Sequence, residues 1–251
     1  MRKTHSSSTI QKEDSGLLSG KRAIVTGASQ GIGFCIAKAL VSKNVHTVIC
    51  SRSKKPLSQA AEKLTRSSNQ VFWKVCDVGY AAQVEELIRF SAQQLGGIDI
   101  LINNAGVGIF QPVSEMTPEE WRSVMRTNLD SLFFTCHYAV PIMRRSGGGM
   151  IVNIGSLAGK NTFTKGAAYC SSKFGLKAFS EALMQEVRYD DIRVSYVMPG
   201  SVNTEFSGTS TEHNSWKLSA EDVADVVIDI LQRDPRCLTS RIEMRPSKPP
   251  K

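Results

Sequence analysis

The chain has 251 residues, 41% of them hydrophobic, which is enough to bury a sizeable core. Its formal net charge is +8, but residues 1–22 hold five bases and two acids and residues 233–251 hold six bases and two acids, so the body between them carries only +1. A basic excess confined to the ends, without interleaved aromatic residues, reads as solvated tails rather than as a nucleic-acid groove. The longest apolar runs, LINNAGVGIF and MIVNIG, fall far short of the roughly 20 residues that span a bilayer.

The first residues, MRKTHSSSTIQKEDSGLLSG, lack an apolar signal core and include Glu13 and Asp14. Residues 1–19 therefore read as a disordered polar extension, and the protein is expected in the cytoplasm. β-type runs follow at intervals: RAIVT, HTVIC, VFWKVC, IDILI, GMIVNIG, IRVSYV and SRIEM. Their alternation with helical patterns of ten or more residues predicts an α/β fold, a parallel sheet covered on both faces, in one domain over 20–245. The end, PSKPPK at 246–251, is expected to be a disordered tail. Six scattered cysteines with no Cys-x2-Cys pair predict that most are small buried residues, and no metal site.

Directly after the first strand comes TGASQGIG, residues 26–33. Gly27, Gly31 and Gly33 permit a tight turn and close backbone approach, while the N–H groups that open the next helix face a pyrophosphate. With Ser29, Gln30 and Ile32 between them, these glycines form a candidate dinucleotide loop. The spacing is Gly-x3-Gly-x-Gly rather than Gly-x-Gly-x2-Gly. At the end of the second strand, where an acidic residue would hold the ribose 2′-hydroxyl of NAD, the chain has Ser51-Arg52 with Lys54 and Lys55 behind. A guanidinium there binds a 2′-phosphate, so NADP(H) is the expected cofactor.

Further along, Thr117-Pro118-Glu119-Glu120 supplies an N-cap, a proline at the first helical position and a glutamate at the third. Ser156 ends the fifth strand. Thirteen residues on, AYCSSK places Tyr169 and Lys173 four apart, on one face of a helix. A cation there would lower the phenol from about 10 toward neutrality and let it exchange a proton with a carbonyl or alkoxide. Cys170, beside Tyr169, reads as an inert cysteine on the neighbouring helix face. Residues 201–218 read as a polar loop that either closes over substrate, with Phe206 and Trp216 as apolar walls and His213 between them, or stays exposed and mobile. Ser219-Ala220-Glu221-Asp222 then caps a last helix with Val223, Val226, Val227, Ile230 and Leu231 on its apolar face.

TGASQGIG, CDV at 76–78, NNAG at 103–106, Asn128, Ser156, YCSSK and PG at 199–200 stand in the order and spacing that resemble the short-chain dehydrogenase/reductase family over residues 18–245. The resemblance implies a Rossmann-like, doubly wound three-layer sandwich whose seven parallel strands run 3-2-1-4-5-6-7. It implies dimers or tetramers formed through long helices at 117–145 and 166–189. It assigns adenine contacts to Asp77 and Val78, and places Asn103, Ala105 and Gly106 along the cofactor ribose. Ser156 would bind the substrate carbonyl, Tyr169 would donate the proton, and Lys173 would hold the nicotinamide ribose. Asn128 would position a water linking Lys173 to solvent, with Ser131 where a glycine is common. Pro199, Gly200, Val202 and Thr204 would meet the nicotinamide.

These readings predict an NADPH-dependent reductase of a ketone or aldehyde, with a small-molecule partner and no nucleic acid or membrane. The motif pattern is similar to 3-oxoacyl-carrier-protein reductases, although the terminal SRIEMRPSKPPK departs from their glycine-pair ending. The alternative is a non-catalytic NADP-sensing protein on the same fold.

Overall fold

The structure is a computed structural model and describes residues 16–65, 71–204, 206 and 215–249. Most of the expected N-terminal extension, and His213 with half of its loop, lie outside the described residues. The strands are β1 (Arg22–Thr26), β2 (His46–Ser51), β3 (Val71–Val75), β4 (Ile100–Asn103), β5 (Gly149–Ile154), β6 (Ile192–Pro199) and β7 (Arg241–Met244). All pair in parallel in the order β3-β2-β1-β4-β5-β6-β7, the doubly wound arrangement expected from the sequence.

Side-chain alternation divides the core into two layers. Ala23 and Val25 of β1 face the layer built with α1 (Gly31–Ser42), α2 (Lys54–Leu64) and α7 (Ala220–Leu231). Ile24 between them faces the opposite layer, built with α3 (Ala81–Leu95), α5 (Ser131–Arg145) and α6 (Ala167–Val187). A strand buried on both faces needs a continuous apolar run, which is why RAIVT reads as it does. At the sheet's lower edge Arg22 donates to Asp99 from Nε at 2.7 Å and from its second terminal nitrogen at 2.8 Å. This fork joins the start of β1 to the residue preceding β4.

The two helix starts read from local chemistry are both capping boxes. Thr117 Oγ1 accepts from the Glu120 N–H at 3.2 Å, and Ser219 Oγ accepts from the Asp222 N–H at 3.0 Å. Each cap contributes about 1 kcal/mol. The helix expected over 117–145 runs unbroken from Pro118 to Arg145, with a π-helical segment at Arg126–Asp130 between α4 (Pro118–Met125) and α5. The extra residue in that turn aims Asn128 inward, and the Ser131 hydroxyl donates to the Thr127 carbonyl at 2.7 Å. Pro246, assigned by the sequence to a terminal tail, lies near Gly200, where an added Cβ would stand 3.3 Å from its ring.

Candidate active site

A cleft of about 760 Å³ opens at the carboxyl ends of the strands, beside the paired β1 and β4, from which the chain continues toward opposite edges of the sheet. Open doubly wound sheets place their ligand crevice at such a switch point. The loop after β1 forms one end. Gly27 and Gly31 adopt φ of 66° and 58°, in the left-handed region that glycine tolerates. A Cβ on Gly27 would come within 2.8 Å of Ala105 Cα, and one on Gly33 would collide with Asn104 Nδ2. Ser29, Gln30, Gly31 and Ile32 line the cleft, whereas Gly33 serves packing behind it. Gln30 occupies the N-cap of α1 without a side-chain hydrogen bond, and the first turn has no acidic residue. The opening N–H groups of α1 thus form an anion-binding end.

Arg52 lines the cleft beyond β2 and is exposed, with no carboxylate paired to it among the described residues. Lys54 and Lys55 occupy the first turn of α2, which contains no acid. Cations at a helix N-terminus oppose the helix dipole, so this end of the cleft accumulates positive potential. Val78 lines the cleft here, but Asp77 does not. The Asp77 carboxylate accepts from the Gly79 N–H at 3.0 Å, and its own N–H donates to Gln83 Oε1 at 2.8 Å. Asp77 shapes the turn that presents Val78.

The NNAG segment divides differently from expectation. Asn103, still in β4, points into the core and donates to Asn153 Oδ1 at 2.9 Å; it does not line the cleft. Asn104, passed over in the sequence reading, bridges the two loops. Its Nδ2 donates to the Thr26 carbonyl at 2.9 Å and the Gly27 carbonyl at 3.1 Å, while its N–H and that of Ala105 donate to Thr26 Oγ1 at 3.0 and 3.1 Å. Ala105 and Gly106 line the cleft as expected. The doubled Asn was the available signal, since adjacent residues at a strand end face opposite ways.

Ser156, Tyr169 and Lys173 form one wall, with Pro199, Gly200, Val202 and Thr204 beside them. Ser156 Oγ accepts from the Ala158 N–H at 3.1 Å, leaving its own O–H to donate elsewhere. A Cβ on Gly159 would stand 2.7 Å from the Lys173 carbonyl, so this glycine lets the turn after Ser156 press against α6. Lys173 is 5% exposed, donates to the Ile154 carbonyl at 3.1 Å and has its Nζ 5.7 Å from the Tyr169 ring centroid. Burial lowers its pKa to about 8. Asn128 lies behind this wall. Its Oδ1 accepts from the Val107 N–H at 2.8 Å and its Nδ2 donates to the Val107 carbonyl at 2.9 Å and Ser172 Oγ at 3.0 Å. Gly106 separates it from the lysine: a Cβ there would be 3.3 Å from Asn128 Oδ1 and 3.7 Å from Lys173 Nζ.

The expected downward shift of the Tyr169 phenol is not found. Burial is the largest influence and pushes the phenol up; a hydrogen bond with Ser156 opposes it, and Cys170 adds to the rise. The lysine is close, but desolvation acts on the phenol and the ammonium alike, disfavouring the charged form of each. Tyr169 is therefore held as a neutral acid at neutral pH.

The fold and its switch-point cleft place the protein among the doubly wound α/β proteins. A sequence profile of the short chain dehydrogenase family matches residues 21–215, and the chain belongs to this family of oxidoreductases. It is 30% identical over 230 residues to an uncharacterized oxidoreductase of Staphylococcus saprophyticus, covering 91% of this chain and 98% of that one. An alcohol dehydrogenase from the archaeon Thermococcus sibiricus, solved with 5-hydroxy-NADP, matches with a TM-score of 0.86 at 27% identity, over 92% of this chain and 99% of that one. A metagenomic short-chain oxidoreductase solved with NADP matches with a TM-score of 0.82 at 32% identity, again over 92% and 99%. Among the described residues, no helix is long and apolar enough to cross a membrane and no cluster could hold a metal ion.

Proposed function

We propose that the protein uses NADPH to reduce a ketone or aldehyde to an alcohol, with Tyr169 as proton donor. The observation that carries this reading is the convergence of Ser156, Tyr169 and Lys173 on a cleft whose other end is a glycine cradle flanked by Arg52. The cradle fits a dinucleotide: positive φ at Gly27 and Gly31 clears its floor, and the uncapped start of α1 suits a pyrophosphate. Arg52, with Lys54 and Lys55 behind it, suits a 2′-phosphate and gives a 2′-hydroxyl no carboxylate partner. Val78, Ala105, Gly106, Pro199, Gly200, Val202 and Thr204 are the residues assigned to the rest of the cofactor.

NADPH held there would supply the hydride for the carbonyl carbon. The Ser156 O–H donates to the carbonyl oxygen and orients it. Tyr169, kept protonated by burial, gives its proton to that oxygen as negative charge develops. Lys173, with a pKa of about 8, is suited to return a proton to the phenol near neutral pH. Asn128 keeps the segment at Gly106–Val107 in register with α6 and is a positioning residue. A 3-oxoacyl thioester belongs to the substrate class so defined. Assembly as a homodimer or homotetramer through α5 and α6 completes the reading; Phe133 and Phe174 on those helices are 53% and 41% exposed.

A non-catalytic NADP-sensing role would need no buried lysine beside a phenol, and burying an ammonium is costly. The test is NADPH oxidation followed at 340 nm across thioesters, diketones, quinones, steroids and sugars, with Tyr169→Phe alongside. That substitution is expected to lower kcat about 10³-fold. Full activity in Tyr169→Phe refutes the assignment of the proton donor.

A further inference from the structure

We propose that the mouth of the cleft is an aromatic cage that selects carbonyl compounds bearing an aryl ring, making aryl ketones and aldehydes the preferred substrates; this rests on the carbonyl-reduction reading above. Two phenylalanines from separate segments, Phe110 and Phe206, pack on Tyr169, and a third, Phe163, packs on Phe110. The Phe110 ring lies 5.4 Å from the Tyr169 ring at 74°, and the Phe206 ring lies 5.9 Å from it at 56°. Phe163 stands 5.7 Å from Phe110 at 52°. Phe110 and Phe206 line the cleft itself.

Two glycines make room for these rings. A Cβ on Gly108 would come within 2.6 Å of Phe110 and 3.0 Å of Phe206, and one on Gly166 within 2.7 Å of Phe163. The backbone is thus cut away under all three phenyl groups. Yet the rings are 39%, 48% and 44% exposed for Phe110, Phe163 and Phe206, so their packing against one another leaves apolar area uncovered beside the proton donor. The mutual tilts offer ring edges and faces in different directions. An inserted aryl ring makes edge-to-face and offset contacts there that a saturated group of similar size does not. Among the described residues, the cleft is lined by no aspartate, glutamate or histidine. The cations lining it are Arg52, Lys173 and Lys217, so the lining disfavours a cationic substrate body and leaves the hydroxyls of Ser156 and Tyr169 to recognise the carbonyl.

The test compares acetophenone, cyclohexyl methyl ketone and a linear 3-oxoacyl thioester as substrates for the wild type, Phe110→Leu and Phe206→Leu, by NADPH oxidation. The expected wild-type preference in kcat/KM for acetophenone over its cyclohexyl counterpart is about tenfold, falling to about twofold in either variant mainly through KM. Phe206 is partly exposed, so a folded Phe206→Leu protein is available even if Phe110→Leu proves unstable. Carbonyl reduction with equal or inverted preference overturns the cage and leaves the reductase reading intact. If the wild type reduces none of the three, saturation-transfer NMR compares 1-phenylethanol with 1-cyclohexylethanol on the protein with NADP⁺. Phenyl-selective binding that Phe206→Leu abolishes upholds the cage, and equal binding overturns it.

Discussion

Replacing Lys173 with methionine keeps the length of the side chain and removes its titrating nitrogen, which makes the energetic cost of the buried ammonium measurable. Burial lowers this group from 10.5 to about 8, and the side chain is 5% exposed. Between those two values the unfolded chain carries the proton and the folded protein does not. Stability contributed by this group therefore rises with pH across that window, having been depressed below it. From pH 7.5 to 9.5 the rise amounts to about 2 kcal/mol, or about 4–8 °C in Tm for a domain of this size. Burial also pushes the Cys35 thiol up to about 11 and the Cys136 thiol up to about 12, and raises the Tyr169 phenol. Those groups act in the opposite sense, losing stability once their unfolded counterparts ionise, but the variant retains them. Urea unfolding of both proteins at pH 7.5, 8.5 and 9.5 is the assay, and the difference in pH slope is the quantity read. Parallel slopes would show that the Lys173 ammonium pays no desolvation penalty, refuting the account of its depressed pKa.

Two further substitutions probe the cofactor end. Arg52→Asp replaces the fork expected to hold a 2′-phosphate with a carboxylate that repels it. KM for NADPH should rise at least tenfold relative to that for NADH, and an unchanged ratio from steady-state kinetics would move the 2′-phosphate site elsewhere. Asn104→Ala removes the donor that joins the Thr26 and Gly27 carbonyls to the β4 loop. It should cost about 1–3 kcal/mol in urea unfolding and weaken NADPH binding by fluorescence titration. A loss of stability with unaltered binding would confine Asn104 to holding the fold.

The strands, the parallel sheet and both capping boxes were legible because their signals are local. Continuous apolar runs, a Thr-Pro-Glu-Glu start and glycines at fixed spacing each bias a few neighbouring residues, and the structure follows that bias at β1, α4 and the turn before α1. The cleft placement of Ser156, Tyr169, Lys173 and Arg52 was legible for the same reason, since strand ends and helix periodicity set it. Other features depended on contacts between distant segments. Pleating sends Asn103 into the core toward Asn153 while Asn104 closes the cofactor-side loop, a choice that the doubled asparagine leaves open. The π segment at Arg126–Asp130 lies within the run that reads as one helix, and Asn128 in it bonds Val107 and Ser172. The Tyr169 phenol rises because packing removes water from it, against the fall that its spacing from Lys173 predicts. Phe110 meets Phe163 and Tyr169, and Phe206 meets Tyr169, because the loops after β4, β5 and β6 converge at one end of the sheet. The sequence by itself determined the scaffold and the side chains that line the candidate site through short-range preferences; burial and the meeting of remote segments, which exist only in the folded chain, decided their protonation and surroundings.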